Sequence, residues 1–324
     1  MNLLDNLGIC YKGDYIAQGS QSDKCKKSKQ LNIKNTEFII RNDGKNMDFD
    51  NISNLYSGNI IFHVPAINVN QSNLKTIKDT INSVITNNIK LITIDASTLL
   101  YETFEWSTEE EQQNYLKNMA KAIASIAQNN IVIAIENTDL DKNTPLFGKT
   151  ISNISDLLVY TRNALVEQYD FNRETANNMV GVSLNIGNLV KTNEVVGLEN
   201  WFKIFYNDIK CIKVNNVENT IPLFNQLLDL VEANNLDVPI ILETKDEIEA
   251  VVNSYKRFEH LVKNKTEGKP LNFDGYQNII NSRYNEYNYN LNSTQSGYTN
   301  AIIILMIILT SIIAVLMFIL QIKR

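Results

Sequence analysis

Short β-branched apolar runs alternate along residues 1–263 with longer stretches whose apolar residues recur every three or four positions. The runs Leu7–Tyr11, Glu37–Arg41, Asn59–His63, Leu91–Asp95, Ile131–Glu136, Val180–Asn185, Cys211–Asn215 and Pro239–Glu243 predict strands. They are almost continuously apolar, which is the pattern of strands covered on both faces in a parallel sheet. The intervening pattern predicts helices over Leu74–Asn88, Asn114–Gln128, Ser155–Tyr169 with Ser155 as N-cap, Ile221–Asn234 and Lys245–Lys263. Strand and helix alternating this often within residues 1–263 predict a closed (β/α)8 TIM barrel. An open doubly wound sheet is the alternative, but the chain has no GxGxxG or P-loop to support a nucleotide-binding version.

The pattern changes after residue 263. Residues 264–300 are dominated by Asn, Tyr, Ser and Gly and hold no sustained period, as in a tether. The tyrosines around Arg283 can in principle stack on bases, but they lack interleaved basic residues. Ala301–Leu320 then reads AIIILMIILTSIIAVLMFIL, uncharged, with Thr310 and Ser311 its only polar members. At 1.5 Å per residue this helix would span roughly 30 Å, the hydrocarbon thickness of a bilayer. A core helix apolar all round is the other reading. The bilayer reading is preferred because only the short basic tail 321–324 follows to cover it. The N-terminal residues show no signal-peptide pattern. The expectation is therefore a single-pass tail anchor with the barrel in the cytosol.

Composition sharpens this reading. Lys+Arg 30 against Asp+Glu 36 gives a net charge of -6. Setting aside Lys323 and Arg324 leaves 28 against 36, or -8, for the rest of the chain. That balance argues against a broad electrostatic grip on DNA. The basic run Lys24–Lys29 reads as a solvated helix face. Two histidines, His63 and His260, exclude a metal centre built mainly of imidazoles. Cys10, Cys25 and Cys211 are widely spaced and form neither a zinc motif nor a disulfide framework.

In a barrel of this type the active site lies at the C-terminal ends of the strands. The residues at those ends are His63, Asp95, Glu136 with Asn137, Asn185, Lys213 to Asn216, and Glu243. Polar ends can simply meet water. Several carboxylates converging on one mouth would instead need pairing or a cation.

Short local patterns favour the second view. His63-Val-Pro-Ala-Ile-Asn68, Ile133-Ala-Ile-Glu-Asn-Thr138 with Leu146-Phe-Gly148, Val180-Gly-Val-Ser-Leu-Asn185, Ile212-Lys-Val-Asn-Asn216 and Ile240-Ile-Leu-Glu-Thr244 occur in that order. Together they resemble the motifs of the endonuclease IV family of AP endonucleases, within the wider xylose-isomerase-like group. The resemblance implies a TIM barrel whose relatives cut the DNA backbone beside abasic sites with a cluster of divalent metals, usually zinc. Carried over by position, it implies that the ligands His63, Glu136 and Glu243 are kept. Asp95 stands in place of a His and remains a ligand type. Asn185, Asn188 and Lys213 stand where the family has Asp, His and His. A neutral amide is a poor zinc ligand and an ammonium repels a cation, so the full metal cluster is not expected.

Two arrangements stay open. His63, Asp95, Glu136 and Glu243 can hold one divalent cation, Zn or Mn. Alternatively, Lys213 replaces the missing metal by pairing with Glu136 or Glu243, which keeps the mouth electrically balanced with no cofactor and makes Glu136, Glu243 and Lys213 the residues of any residual catalysis. The second is preferred. The functional expectation is a membrane-tethered pseudoenzyme serving as a binding or scaffold protein, with an unidentified protein or small ligand at the barrel mouth. A single-metal hydrolase or isomerase is the alternative, and a working DNA-repair nuclease is weaker still.

Overall fold

In a computed structural model the described residues are 3–12, 19–39, 52–64, 75, 78–79, 89–96, 108–127, 130–138, 148, 150–191, 197–215, 217–244 and 247–268. They carry eight parallel strands: β1 Leu7–Tyr11, β2 Asn35–Ile39, β3 Asn59–Val64, β4 Ile89–Asp95, β5 Val132–Glu136, β6 Val180–Asn185, β7 Ile209–Asn215 and β8 Ile240–Thr244. Each pairs with the next, and β1 pairs with β8, so the sheet closes into a barrel in sequence order. The open-sheet alternative is thereby excluded.

Closure follows from the side-chain pattern. Successive side chains in a strand point to opposite faces. One set, including Ile9, Phe38, Phe62, Ile92, Ile133, Val182, Ile212 and Leu242, joins a core continuous with the helices. The other set, Cys10, Ile61, Leu91, Ala134, Cys211 and Ile241, forms a separate cluster that fills the barrel interior. Strands buried on both faces need no polar alternation, which is why they read as apolar runs.

The outer layer includes α1 Gln21–Gln30, α2 Ile52–Leu55, α3 Glu109–Ala127, α4 Ile151–Tyr169, α5 Arg173–Met179, α6 Ile186–Lys191, α7 Leu198–Phe205, α8 Val217–Ala233 and α9 Ile248–Thr266. Several sequence expectations change here: the helices expected from Asn114 and Ile221 begin earlier, at Glu109 and Val217, and the one expected from Lys245 begins at Ile248. α4 begins at Ile151, capped by Thr150, whose hydroxyl accepts from the Asn153 amide at 3.2 Å. Ser155 therefore lies inside the helix, because the apolar positions Ile151 and Ile154 already extend its buried face. α9 runs to Thr266, past the expected limit at residue 263. Finally, α1 is not a wholly solvated basic face. Lys24 is buried with its ammonium 5.9 Å from the Tyr11 ring centre, while Lys26 and Lys29 are exposed.

The helix expected over Leu74–Asn88 falls on residues of which only Lys75, Lys78 and Asp79 are described. The chain divides at Met1–Pro270 and Leu271–Arg324, and the second part, with most of the expected tether and the apolar stretch 301–320, lies outside the described residues. Among the described residues no helix is long and apolar enough to cross a membrane.

One contact shows how tightly the barrel wall is built. A Cβ on Gly181 of β6 would collide with the Asp208 carbonyl oxygen, which accepts from the Val182 amide at 2.8 Å. The obstacle is backbone already committed to the ladder, so it cannot swing away. Gly181→Ala is expected to destabilise the barrel by about 1–3 kcal/mol, the usual range for overpacking. A urea-denaturation midpoint equal to wild type would contradict this.

Candidate functional site

The strand register brings the chemistry to one end of the barrel. Cys10 of β1 lies opposite Glu37 of β2 and Glu243 of β8. His63 of β3 lies opposite Thr93 of β4, Asp95 opposite Glu136, and Asn185 opposite Lys213. Neighbouring strands thus deliver polar side chains at similar heights, above the apolar interior cluster.

Lys213 is at the centre and is fully buried. Its Nζ lies 2.6 Å from Glu136 Oε2, 2.8 Å from Glu37 Oε1 and 3.8 Å from Glu243 Oε1. Thr93 Oγ1 at 3.0 Å and His63 Nδ1 at 3.1 Å complete its surroundings. A buried ammonium is tolerated only when such acceptors replace its lost hydration. Burial alone would lower the Lys213 pKa, but Glu136, Glu37 and Glu243 outweigh it and hold it well above the usual lysine value. This lysine stays charged and is no nucleophile at neutral pH.

Glu37 was not singled out as a site residue by sequence. The expected strand began at Glu37, which would put that residue at the entry end. The strand runs Asn35–Ile39, so Glu37 sits in its middle and is fully buried. Its Oε1 also accepts from the Thr93 hydroxyl at 2.6 Å, while Oε2 has no hydrogen-bond partner. A usable signal was present: a carboxylate within one apolar run and a lysine within another, each too costly to bury alone.

A second cation closes the rim. Lys12, one residue beyond β1, pairs with Glu243 Oε1 at 2.7 Å. Burial would lower its pKa, yet Glu243 and Glu136 raise it above the ordinary value.

Asn185 links the two acids. Its Nδ2 donates to Glu136 Oε1 at 2.7 Å and to Glu243 Oε2 at 3.0 Å. The orientation of this amide is fixed, because Oδ1 accepts from the Asn188 backbone amide at 3.2 Å. Asn137 exchanges two bonds with the Asn185 backbone, at 2.6 and 3.0 Å, and its own carbonyl accepts from Asn188 Nδ2 at 2.8 Å. An Asp at 185 would have no N–H for either carboxylate and would add a third charge beside them. The amides at 185 and 188 therefore suit a site whose acids are held by N–H donors.

Glu136 responds to all of this. Burial raises its pKa, but Lys213, Lys12 and the donors from Lys213 and Asn185 bring it below the ordinary value. His63 is nearly fully buried, and burial with the charges of Lys213 and Lys12 pushes its pKa well below 6.5. His63 is thus a neutral imidazole, with Nδ1 turned to Lys213 and Thr93.

The expected metal set was His63, Asp95, Glu136 and Glu243. The structure gathers His63, Glu136 and Glu243 around Lys213 and sets the half-buried Asp95 beside Glu136 in register. Among the described residues, the metal-type donors that converge within 4.8 Å of one another are Cys10, Glu37 and Glu243. That trio fits a metal poorly. Two of its three groups are already committed to internal cations, Glu37 to Lys213 and Glu243 to Lys12. Around Lys213 the mismatch is greater: an ammonium stands among the oxygens a divalent ion would use, and the two cations would repel.

No family model matches the sequence, and no curated protein does either. Solved structures do. The barrel is similar to a D-tagatose 3-epimerase-like protein (15% identity, TM-score 0.54, 79% of this chain and 98% of that one). It is similar to an L-ribulose 3-epimerase (11%, 0.56, 81% and 96%). An AP endonuclease of family 2 from Brucella melitensis also matches (10%, 0.54, 78% and 99%). These likenesses show the fold, a closed parallel (β/α)8 barrel of the kind the sequence pattern predicted.

The neutral state of His63 sets a pH dependence. An imidazole whose pKa is lower folded than unfolded contributes stability that is complete above the unfolded value and lost as pH falls. The loss should begin below pH of about 6.5 and approach a slope of about 1.4 kcal/mol per pH unit. Glu136, also depressed, adds its own loss only below pH of about 4.3, the unfolded carboxylate value. Denaturant midpoints between pH 7.5 and 5 should therefore fall for wild type and stay flatter for His63→Gln. Equal slopes in the two proteins would contradict the neutral assignment.

Proposed function

We propose that this chain is a catalytically silent xylose-isomerase-like barrel, acting as a binding or scaffold protein and held at a membrane by residues 301–320. One observation carries the first half: the acids that such chemistry would use are already engaged by internal donors. Glu136 is held by Lys213 and Asn185, and Glu243 by Lys12 and Asn185. A general base or a metal ligand needs a free lone pair directed at its target. Here Oε1 of Glu136 and Oε2 of Glu243 accept from Asn185, while Glu136 Oε2 and Glu243 Oε1 face ammonium groups as ion pairs.

The anchoring half rests on the uncharged 20-residue stretch Ala301–Leu320 and the composition of the segment before it. It makes the barrel a tethered module with a single C-terminal span and its bulk in the cytosol. The negative balance of the remaining chain disfavours nucleic acid as its partner. The partner is a protein or small ligand taken at or near the barrel mouth.

A second reading keeps an enzyme. The similarity to sugar epimerases and to an AP endonuclease, with His63, Glu136 and Glu243 as ligand types, favours a single-metal isomerase or hydrolase. One assay series separates the two. Full-length protein in detergent, supplied with Mn, Co or Zn, is expected to give neither ketohexose 3-epimerisation nor incision of abasic duplex DNA. Metal-dependent turnover that disappears in Glu136→Gln would sink the silent-barrel reading. Carbonate washing of membranes is expected to leave the protein in the pellet, and its release to the supernatant would remove the anchor.

A further inference from the structure

We propose that the Lys213 ammonium is a built-in cation occupying the centre of a donor shell that would otherwise suit a divalent ion, with Glu37 as its dedicated counter-charge. The inference deepens the silent-barrel reading and rests on it. It concerns what fills the centre of the site, not whether the site turns over.

Four acceptor atoms surround Lys213 Nζ within 3.1 Å: Glu136 Oε2, Glu37 Oε1, Thr93 Oγ1 and His63 Nδ1. Glu243 Oε1 follows at 3.8 Å. Three carboxyl oxygens, one imidazole nitrogen and one hydroxyl around a single point make a cation-binding shell of the N/O type. The charge at its centre reaches in on the stem of a residue from β7 instead of arriving from solution. The distances are those of N–H···O hydrogen bonds, longer than the roughly 2.0–2.2 Å a zinc ion would need.

Glu37 extends this argument. It comes from β2, below the rim, and lies opposite Cys10 in the register. It is fully buried, and its described side-chain partners are Lys213 and Thr93. Thr93 ties the parts together by donating to Glu37 and contacting both His63 and Lys213. A carboxylate so deep has no role toward a ligand at the mouth, but it is where the underside of a buried ammonium needs compensation.

Removing the ammonium should leave a shell of the same donors with nothing at its centre, and that shell should take a divalent ion. The test is Co2+ titration of the full-length protein in detergent, followed by the visible absorption of bound cobalt and by thermal stabilisation. Wild type is expected to show neither signal. Lys213→Ala is expected to bind about one equivalent at least tenfold more tightly than wild type, with a cobalt-dependent rise in Tm. Where the uncompensated carboxylates prevent Lys213→Ala from folding, Lys213→Ala/Glu37→Gln removes one of them, keeps Glu136, Glu243 and His63, and is expected to bind cobalt likewise. Equal cobalt affinity in wild type and variant would overturn the proposal, as would a folded variant that binds none. Neither result reads catalysis, so the silent-barrel reading stands or falls separately on the turnover assays.

Discussion

A fully buried ammonium cannot exist in a protein without nearby negative charge, and the mouth of this barrel is organised around that constraint. Lys213 carries its charge into a site shielded from water, where an unpaired ion costs several kcal/mol. Glu136, Glu37 and the hydroxyl of Thr93 supply what hydration no longer does. The strand register makes this possible, since β2, β4, β5 and β7 must deliver their side chains to one point. A slip of one residue in any of these strands would turn its polar group out of the barrel.

The remaining features answer to that centre. Lys12 satisfies the far side of Glu243, and Asn185 spans Glu243 and Glu136. His63 stays neutral because burial and two neighbouring ammonium groups leave no room for another positive charge. Asn137 and Asn188 then hold Asn185 so that its N–H groups face the carboxylates. Read together, the amides and the lysine are one substitution of chemistry: the acids are held by N–H donors inside the chain. The site thus combines ligand-type residues with a cation of its own.

Much of this was legible in the sequence. The eight apolar runs located every strand, because strands buried on both faces announce themselves by continuity. The barrel topology followed from their alternation with helices. Lys213, Glu136, Glu243 and His63 were found because they interrupt apolar strands at their ends. Glu37 escaped because it was placed at the start of a strand whose ladder begins two residues earlier, at Asn35. Asn35 opens β2 by donating to the Leu7 and Asn6 carbonyls and accepting from Asn59, a role that strand propensity does not reveal. Lys12 escaped because one lysine just beyond a strand looks like any solvated loop residue. The Thr150 cap was missed because Ser155 offered the same chemistry five residues later.

The central claim is that Lys213 and Glu37 stabilise the barrel as a pair. A double-mutant cycle on folding stability tests it most directly, using Lys213→Met, Glu37→Gln and the two combined, each measured by urea denaturation at neutral pH. The account predicts that Lys213→Met destabilises by about 3–5 kcal/mol, because Glu136 and Glu37 lose their shared cation, and that Glu37→Gln costs less, because Glu136 still faces Lys213. It predicts that the double variant loses at least about 1 kcal/mol less than the two losses added together. Strict additivity, within about 0.5 kcal/mol, would contradict it.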